Sequence, residues 1–383
     1  MAKTGYIGVD ETARKIKSIY LGVNGVARKV KIAYVGVNGA ARQWYAAGPP
    51  REDCLTFSSP TAFSISVASP GWNGTMEYST DKSTWTVWDG SEIAAADIGG
   101  TYELYLSGAG NTKVTDGNSN RWTLTGSDIA CNGNIESLLD HATVAAGNHP
   151  VMASSCYNSM FYGCTSLTTA PALPATTLVT YCYGYMFQGC TSLTTAPALP
   201  ATTLATYCYG YMFQGCTSLT TAPALPATTL ATYCYGYMFH GCTSLTTAPA
   251  LPATTLARGC YNAMFQDCTS LTTAPALPAT TLATYCYGYM FQGCTSLTTA
   301  PALPATTLAR GCYRGMFYGC AGIKLSATRT GTYTKVYRIP TSGTGKTADS
   351  ALTQMFTNTG GTFIGTPTIN TTYYLDASNS IVR

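Results

Sequence analysis

Between Cys156 and Cys320, apolar and polar positions recur in a phrase of 26 residues, typified by YCYGYMFQGCTSLTTAPALPATTLAT. Cysteines therefore fall at 156, 182, 208, 234, 260, 286 and 312, and again at 164, 190, 216, 242, 268, 294 and 320. One copy cannot bury Leu193, Leu199, Leu204, Met186 and Phe187 alone, so a period of this length predicts coils that stack on their neighbours. In the second copy the pattern predicts a short strand over Ser192 to Ala196. The next residue, a proline, has no N–H to donate and would end the pairing. Pro200 and the threonines after it make a corner. TYCYGYMFQG then reads as two helical turns, with Cys182, Met186 and Gly189 on one side at i, i+4, i+7 spacing and Tyr181, Tyr185 and Gln188 facing out.

Such a stack needs a cap at each end. NIESLLDHATVA (134–145) reads as a capped amphipathic helix ahead of the first copy. Behind the last, DSALTQMFTNTGG repeats the helical phrase without its cysteines, Met355-Phe356 taking the place of Met316-Phe317. Residues 6–45 hold a shorter repeat, with Tyr6, Tyr20 and Tyr34 spaced 14 apart. Asn24-Gly25 and Asn38-Gly39 between alternating runs predict hairpins. Residues 46–50 (AAGPP) form a linker. After it Phe63, Ile65 and Val67, then Tyr102, Leu104 and Leu106, then Trp122 and Leu124 alternate, as in the strands of a β-sandwich. The expected fold is mainly β with short helices: hairpin repeats over 1–47, a sandwich over 51–127, a leucine-rich solenoid of seven copies over 128–322 with its N-terminal capping helix, and a C-terminal cap over 323–383.

Composition narrows the chemistry. Only 10% of residues are charged, so the surface is neutral and rich in hydroxyls. The net charge of +4 is uneven: Lys3, Arg14, Lys15, Lys17, Arg28, Lys29, Lys31 and Arg42 face only Asp10 and Glu11 in the first 47 residues, which makes the N-terminus basic and the remainder slightly acidic. Those basic residues occupy fixed places in a strand repeat with no aromatic platform among them, so no nucleic-acid partner is expected. Fourteen of the 16 cysteines belong to the repeat and read as small buried hydrophobes. A spacing of CX7C, with His141, His149 and His240 the only histidines, lacks zinc-ligand geometry. No cofactor is expected. The start has no apolar signal region and no run is long enough to span a membrane.

Catalysis needs titratable groups gathered in a pocket, and the seven copies carry only Arg258, Asp267, Arg310 and Arg314 as charged residues. No enzyme is expected. TMEYSTDKSTWTVWDG nearly matches a sialidase Asp-box through Ser79, Asp81 and Trp85, but it is one residue short and occurs once, so it reads as a polar hairpin turn. Trp85 and Trp88 lie on opposite faces by strand parity, which leaves one of them for sugar stacking or rim packing. GTGKT (343–347) has Pro340 where a phosphate loop needs its first glycine and reads as a turn before a helix. The remaining candidates are tyrosines at i, i+4: Tyr181 and Tyr185, Tyr207 and Tyr211, Tyr233 and Tyr237, Tyr285 and Tyr289, replaced by Gly259/Ala263 and Gly311/Gly315 in the fifth and seventh copies. Exposed tyrosines give contact area at low entropic cost.

The MFxGCTSLT phrase with its proline-closed strand and 26-residue period resembles the BspA-type leucine-rich repeats of bacterial surface and phage proteins. That resemblance implies a scaffold associated with adhesion to varied partners. The first 45 residues resemble the GYIGVxGVARKIK modules at the N-termini of tail-associated proteins of phages and prophages of gut bacteria. Together they imply a virion or tail-appendage protein, assembled in the host cytoplasm without a signal peptide. It would dock on other virion or tail proteins through residues 1–47 and contact a host surface glycan or protein through its tyrosines, without membrane insertion. A cell-surface adhesin and a purely structural decoration protein are the alternatives, and homo-oligomerisation stays open.

Overall fold

The computed structural model describes residues 51–339 and 350–383, and ahead of them the backbone of four strands between residues 20 and 46. Tyr20–Val23 pairs with Val26–Lys29 and Ile32–Val37 with Ala40–Ala46, both antiparallel. Val23 stands opposite Val26 and Val37 opposite Ala40, the register that the two Asn-Gly pairs require. The first hairpin phrase, residues 47–50 and the GTGKT segment lie outside the described residues.

After the linker two sheets face each other. One runs in the order Leu167–Thr169, Ile129–Asn132, Leu55–Ser59, Tyr102–Ala109, Thr75–Ser79, Thr86–Val87, and the other is Trp122–Thr125, Ser64–Val67, Ile93–Ala94. Phe57 of the first meets Trp122 of the second with ring centres 6.3 Å apart, and Phe63, Ile65 and Val67 are all buried, as their alternation requires. Tyr102–Ala109 is buried on successive residues because the helix Ser137–Ala145 covers its other face. That helix is broken at Asp140 (φ −153°, ψ 101°). The Asp140 carboxylate accepts the N–H groups of Thr143 and Gly110 at 2.8 and 2.9 Å, capping the second half of the helix and tying it to the sheet.

The sandwich does not stop where the repeats begin. Ile129–Asn132 pairs in parallel with Leu167–Thr169 of the first copy, and Trp122 and Phe57 pack on Phe161 at 6.1 and 6.2 Å. One apolar cluster then runs unbroken from Leu55 to Leu375. The sandwich therefore covers the open end of the stack.

Within the copies the expected helix is absent. From Tyr181 to Cys190 the N–H groups alternate between two destinations. Those of Tyr181, Tyr183, Tyr185, Phe187 and Gly189 donate to carbonyls of Thr206, Cys208, Gly210, Met212 and Gln214 in the next copy, at 2.8–3.0 Å. Those of Cys182, Gly184, Met186, Gln188 and Cys190 turn back three residues within their own copy, at 3.0–3.3 Å. Each coil is a ribbon of tight turns laddered onto its neighbour. Tyr181, Tyr185 and Gly189 have φ of 56°, 59° and 74°, the sign a type II turn demands at its third residue. A helix needs every N–H for its own i−4 carbonyl; an identical neighbour offers a matching carbonyl to every second one. The i, i+4 spacing could not separate the two, since positive φ every fourth residue also repeats a face. Gly189 consequently joins the outward row of Tyr181 and Tyr185 instead of the buried side with Cys182 and Met186.

The expected strand over 192–196 also shrinks. Leu193 N–H returns to Cys190 and the prolines have no donor, so pairing between copies is reduced on this side to single parallel bridges joining Thr169, Thr195, Thr221, Thr247, Thr273 and Thr299. True strands form only where a segment outside the copies supplies the partner. Leu167–Thr169 meets the sandwich, and Thr299–Pro301 meets the C-terminal strand Ser380–Val382 in parallel. At that end, buried Asn379 donates to the carbonyls of Thr298 and Gly322, and Phe356 stacks on Phe317 at 5.4 Å, making residues 351–357 an eighth coil without cysteines.

Inside, side chains stack in rows. Phe161, Phe187, Phe213, Phe239, Phe265, Phe291 and Phe317 follow one another at 5.6–5.9 Å, and Tyr157, Tyr183, Tyr209, Tyr235, Tyr261, Tyr287 and Tyr313 at 5.6–5.9 Å. All 16 cysteines are buried and unpaired. The second cysteine row is more than filler: Cys190, Cys216, Cys242, Cys268, Cys294 and Cys320 donate S–H to the phenylalanine carbonyl of the preceding copy at 2.9–3.1 Å.

Candidate ligand-binding surface

The outer tyrosines sit on the ribbon at the positions of positive φ. Tyr181, Tyr207 and Tyr233 have φ of 56°, 53° and 50°, Tyr185, Tyr211 and Tyr237 of 59°, 60° and 58°, and Tyr285 and Tyr289 of 56° and 57°. A left-handed conformation brings Cβ against the following carbonyl and costs about 1–2 kcal/mol for an L residue. Glycine escapes that cost, and this chain uses Gly259, Gly311 and Gly315 at equivalent places. Eight tyrosines are therefore held where the backbone favours glycine.

The rings are half-buried rather than facing freely out, because they stack. Tyr181, Tyr207 and Tyr233 form one ladder with ring centres 4.8 and 4.9 Å apart and planes within 5°. Tyr185, Tyr211 and Tyr237 form a second, both steps 4.6 Å. Ring faces are used up within the ladders, except the first-copy sides of Tyr181 and Tyr185, which meet Ser155 and Ser159 instead of rings, leaving edges and hydroxyl groups as two parallel rows. Burial, then the neighbouring phenols of Tyr233 and Tyr181, push the Tyr207 hydroxyl up to about 12. The same two causes raise Tyr185, Tyr211 and Tyr237. At neutral pH the surface is a field of uncharged donors and acceptors.

Tyr285 and Tyr289 stand apart on the sixth coil, separated from the ladders by Gly259 and Ala263. Beside the second ladder, His240 is bracketed by Gln214 (Nδ1, 2.9 Å) and Asp267 (Nε2, 3.3 Å). The inner tyrosine of each YCYGY phrase was not singled out by its sequence position. Tyr183, Tyr209, Tyr235 and Tyr287 are buried with their hydroxyls unpartnered, and the only signal was that the phrase holds three aromatic-bearing positions per turn of ribbon while one must point inward.

The tryptophans of the sandwich offer less. Trp88 is buried, donates Nε1–H to Ser91 and lies against Trp72 at 5.2 Å. Trp85 is half-buried with the Arg51 guanidinium 4.4 Å over its ring, so that face is occupied. Asp81 accepts the N–H groups of Ser83 and Thr84 at 2.8 and 2.6 Å and the Ser79 hydroxyl at 3.1 Å, which is the work of a hairpin turn. Among the described residues no three His, Cys, Asp or Glu side chains are grouped to hold a metal, and no helix is long and apolar enough to cross a membrane.

Among the described residues the chain is mainly β with one short α-helix, and its aromatic ladders in register fit a repeat solenoid. Residues 148–272 and 210–328 match the family model for the BspA type leucine rich repeat region, in six copies. The match spans the repeat segment and a few residues on either side of it, just under half of the chain. No curated protein and no solved structure matches the chain.

Proposed function

We propose that this protein is a non-enzymatic surface-binding protein of a phage virion or tail appendage. Its N-terminal hairpins dock on the particle and its tyrosine ladders contact the bacterial host surface. The observation that carries the binding role is the set of eight tyrosines kept at positive φ, where Gly259, Gly311 and Gly315 fill three of the four equivalent places in the fifth and seventh copies and Ala263 the other. Strain retained at particular side chains, against an alternative the chain itself uses, points to selection for those side chains. The BspA type match supports a surface or adhesin-like repeat protein. The particle assignment draws on the basic N-terminal hairpin phrases alone, and a cell-displayed adhesin is the competing reading that the same family match favours.

The test compares the full chain with one starting at residue 51. The shorter chain should fold, bind intact host cells, and be missing from purified particles. Replacing Tyr181, Tyr207 and Tyr233 together by glycine should abolish most cell binding while the far-UV spectrum stays the same. Incorporation of the shorter chain into particles would overturn the docking role. Binding unaltered by the triple replacement would overturn the role of the ladders.

A further inference from the structure

The sixth coil differs from the ladders in charge as well as in stacking. Arginine replaces threonine at one ribbon position only where the tyrosine pair is lost: Thr180, Thr206, Thr232 and Thr284 precede tyrosines, whereas Arg258 precedes Gly259 and Arg310 precedes Gly311. Since the fifth and seventh coils flank the sixth, Tyr285 and Tyr289 lie between two arginine-bearing coils. Arg314 adds a third guanidinium, 5.7 Å over the Tyr289 ring. Arg258 and Arg310 are exposed and two coils apart, about 10 Å at the usual spacing of neighbouring strands.

The rings are also presented differently. A Cβ added to Gly311 would fall 2.2 Å from the Tyr285 ring, and one added to Gly315 2.6 Å from that of Tyr289. Each ring thus lies on the backbone of the seventh coil with one face covered. The opposite faces look toward the fifth coil, where Gly259 and Ala263 carry no ring to stack on them. Tyr233 ends its own ladder by lying on Gly259. The repeats' single acid, Asp267, borders this patch from the fifth coil: its carboxylate lies over Gly293 of the sixth coil, and its other oxygen faces His240 Nε2 at 3.3 Å.

We propose that the Tyr285/Tyr289 coil is a recognition site for an anionic saccharide, one acidic sugar residue in a chain that is otherwise neutral. This inference rests on the surface-binding reading above and names the ligand class for one part of that surface. The uncovered tyrosine faces take the C–H side of a pyranose ring. The guanidinium of Arg258, joined by those of the seventh coil, takes the carboxylate or phosphate through charge-assisted hydrogen bonds in fork geometry. The neutral threonines and tyrosine hydroxyls on adjoining coils suit uncharged neighbouring sugars. A nucleic-acid strand is disfavoured, because three guanidiniums on one patch of a neutral stack give no basic track for successive phosphates.

The experiment is titration of the full chain with uronate-, sialate- and phosphate-bearing oligosaccharides, each beside its neutral counterpart. At least one charged member should bind roughly tenfold tighter than its neutral form, as one charge-assisted pair supplies, and that margin should shrink with added salt. Arg258→Thr and Arg310→Thr install the residue that the tyrosine-bearing copies already hold, so the coil keeps its local chemistry. The double variant should lose the margin while its neutral-sugar affinity and aromatic circular dichroism stay unchanged. Equal binding of charged and neutral members, a margin that survives both replacements, or displacement by a single-stranded oligonucleotide would each overturn the proposal. Wild-type protein that binds host-surface extract without competition from any charged saccharide refutes this site alone. Failure to bind either extract or saccharide brings down the surface-binding reading with it.

Discussion

Replacing Tyr211 by alanine and by glycine tests the strain argument directly, because the two substitutions should rank in the reverse of their usual order. Both remove stacking on Tyr185 and Tyr237, each 4.6 Å away, at about 0.5–1.5 kcal/mol per aromatic pair. Alanine keeps a Cβ at φ 60° and so retains the roughly 1–2 kcal/mol penalty of the left-handed region. Glycine sheds that penalty but gives the unfolded chain more freedom, a loss of about 0.5–1 kcal/mol relative to alanine. The glycine variant should therefore be more stable than the alanine variant by about 0.5–1 kcal/mol, with both at or below wild type. Urea midpoints at constant slope measure the difference. Tyr185 and Tyr237 should follow the same order. An alanine variant equal to or more stable than its glycine partner at these three sites would mean that the backbone is not left-handed there, and the argument from retained strain would fall with it.

Alkali should unfold the stack sharply. Burial lifts the thiols of Cys164, Cys208, Cys216, Cys260 and Cys312 from 9.0 to about 12. The unfolded chain then loses protons that the folded one keeps, so the stability is complete below pH 9 and is lost as pH rises toward 12. At about 1.4 kcal/mol per thiol per pH unit, a row of such groups exhausts ordinary domain stability within about one unit above 9; circular dichroism unchanged at pH 11.5 would contradict this. Because the thiols are buried and protonated, a maleimide should label few cysteines in native protein at pH 7.5 and nearly all in denaturant, and quick native labelling would show that the coils open. Tyr209→Phe removes a buried hydroxyl that has no partner and should leave stability unchanged or raise it by about 1 kcal/mol; a clear drop in the melting midpoint would reveal a bond that the hydroxyl makes.

Much of the candidate surface was legible from spacing. Tyr181 and Tyr185 do share an outward row, and the glycine replacements at 259, 311 and 315 mark where that row breaks. Met355-Phe356 does continue the phenylalanine row past the last cysteine. The local conformation was not legible, since a helix and a ribbon of four-residue turns both bring i and i+4 to one side. Nor did the sequence reveal that the tyrosine faces would be spent on one another. That depends on a coil rise close to the thickness of stacked rings, a property of neighbouring copies together.

The 26-residue period, by itself, determined that this chain stacks and that Cys182, Met186 and Phe187 point inward, because apolar rows that one copy cannot bury leave no other arrangement. Tertiary structure decided the rest. Every second N–H could leave its own turn only because an identical coil lay beside it with a free carbonyl, and that exchange replaced the helix with a ribbon. The sandwich became a cap because Ile129–Asn132 found an open edge at Leu167–Thr169, and the C-terminal strand closed the far end for the same reason. An unpaired backbone edge is a demand that sequence periodicity states but does not assign. Only the folded chain shows which segment meets it.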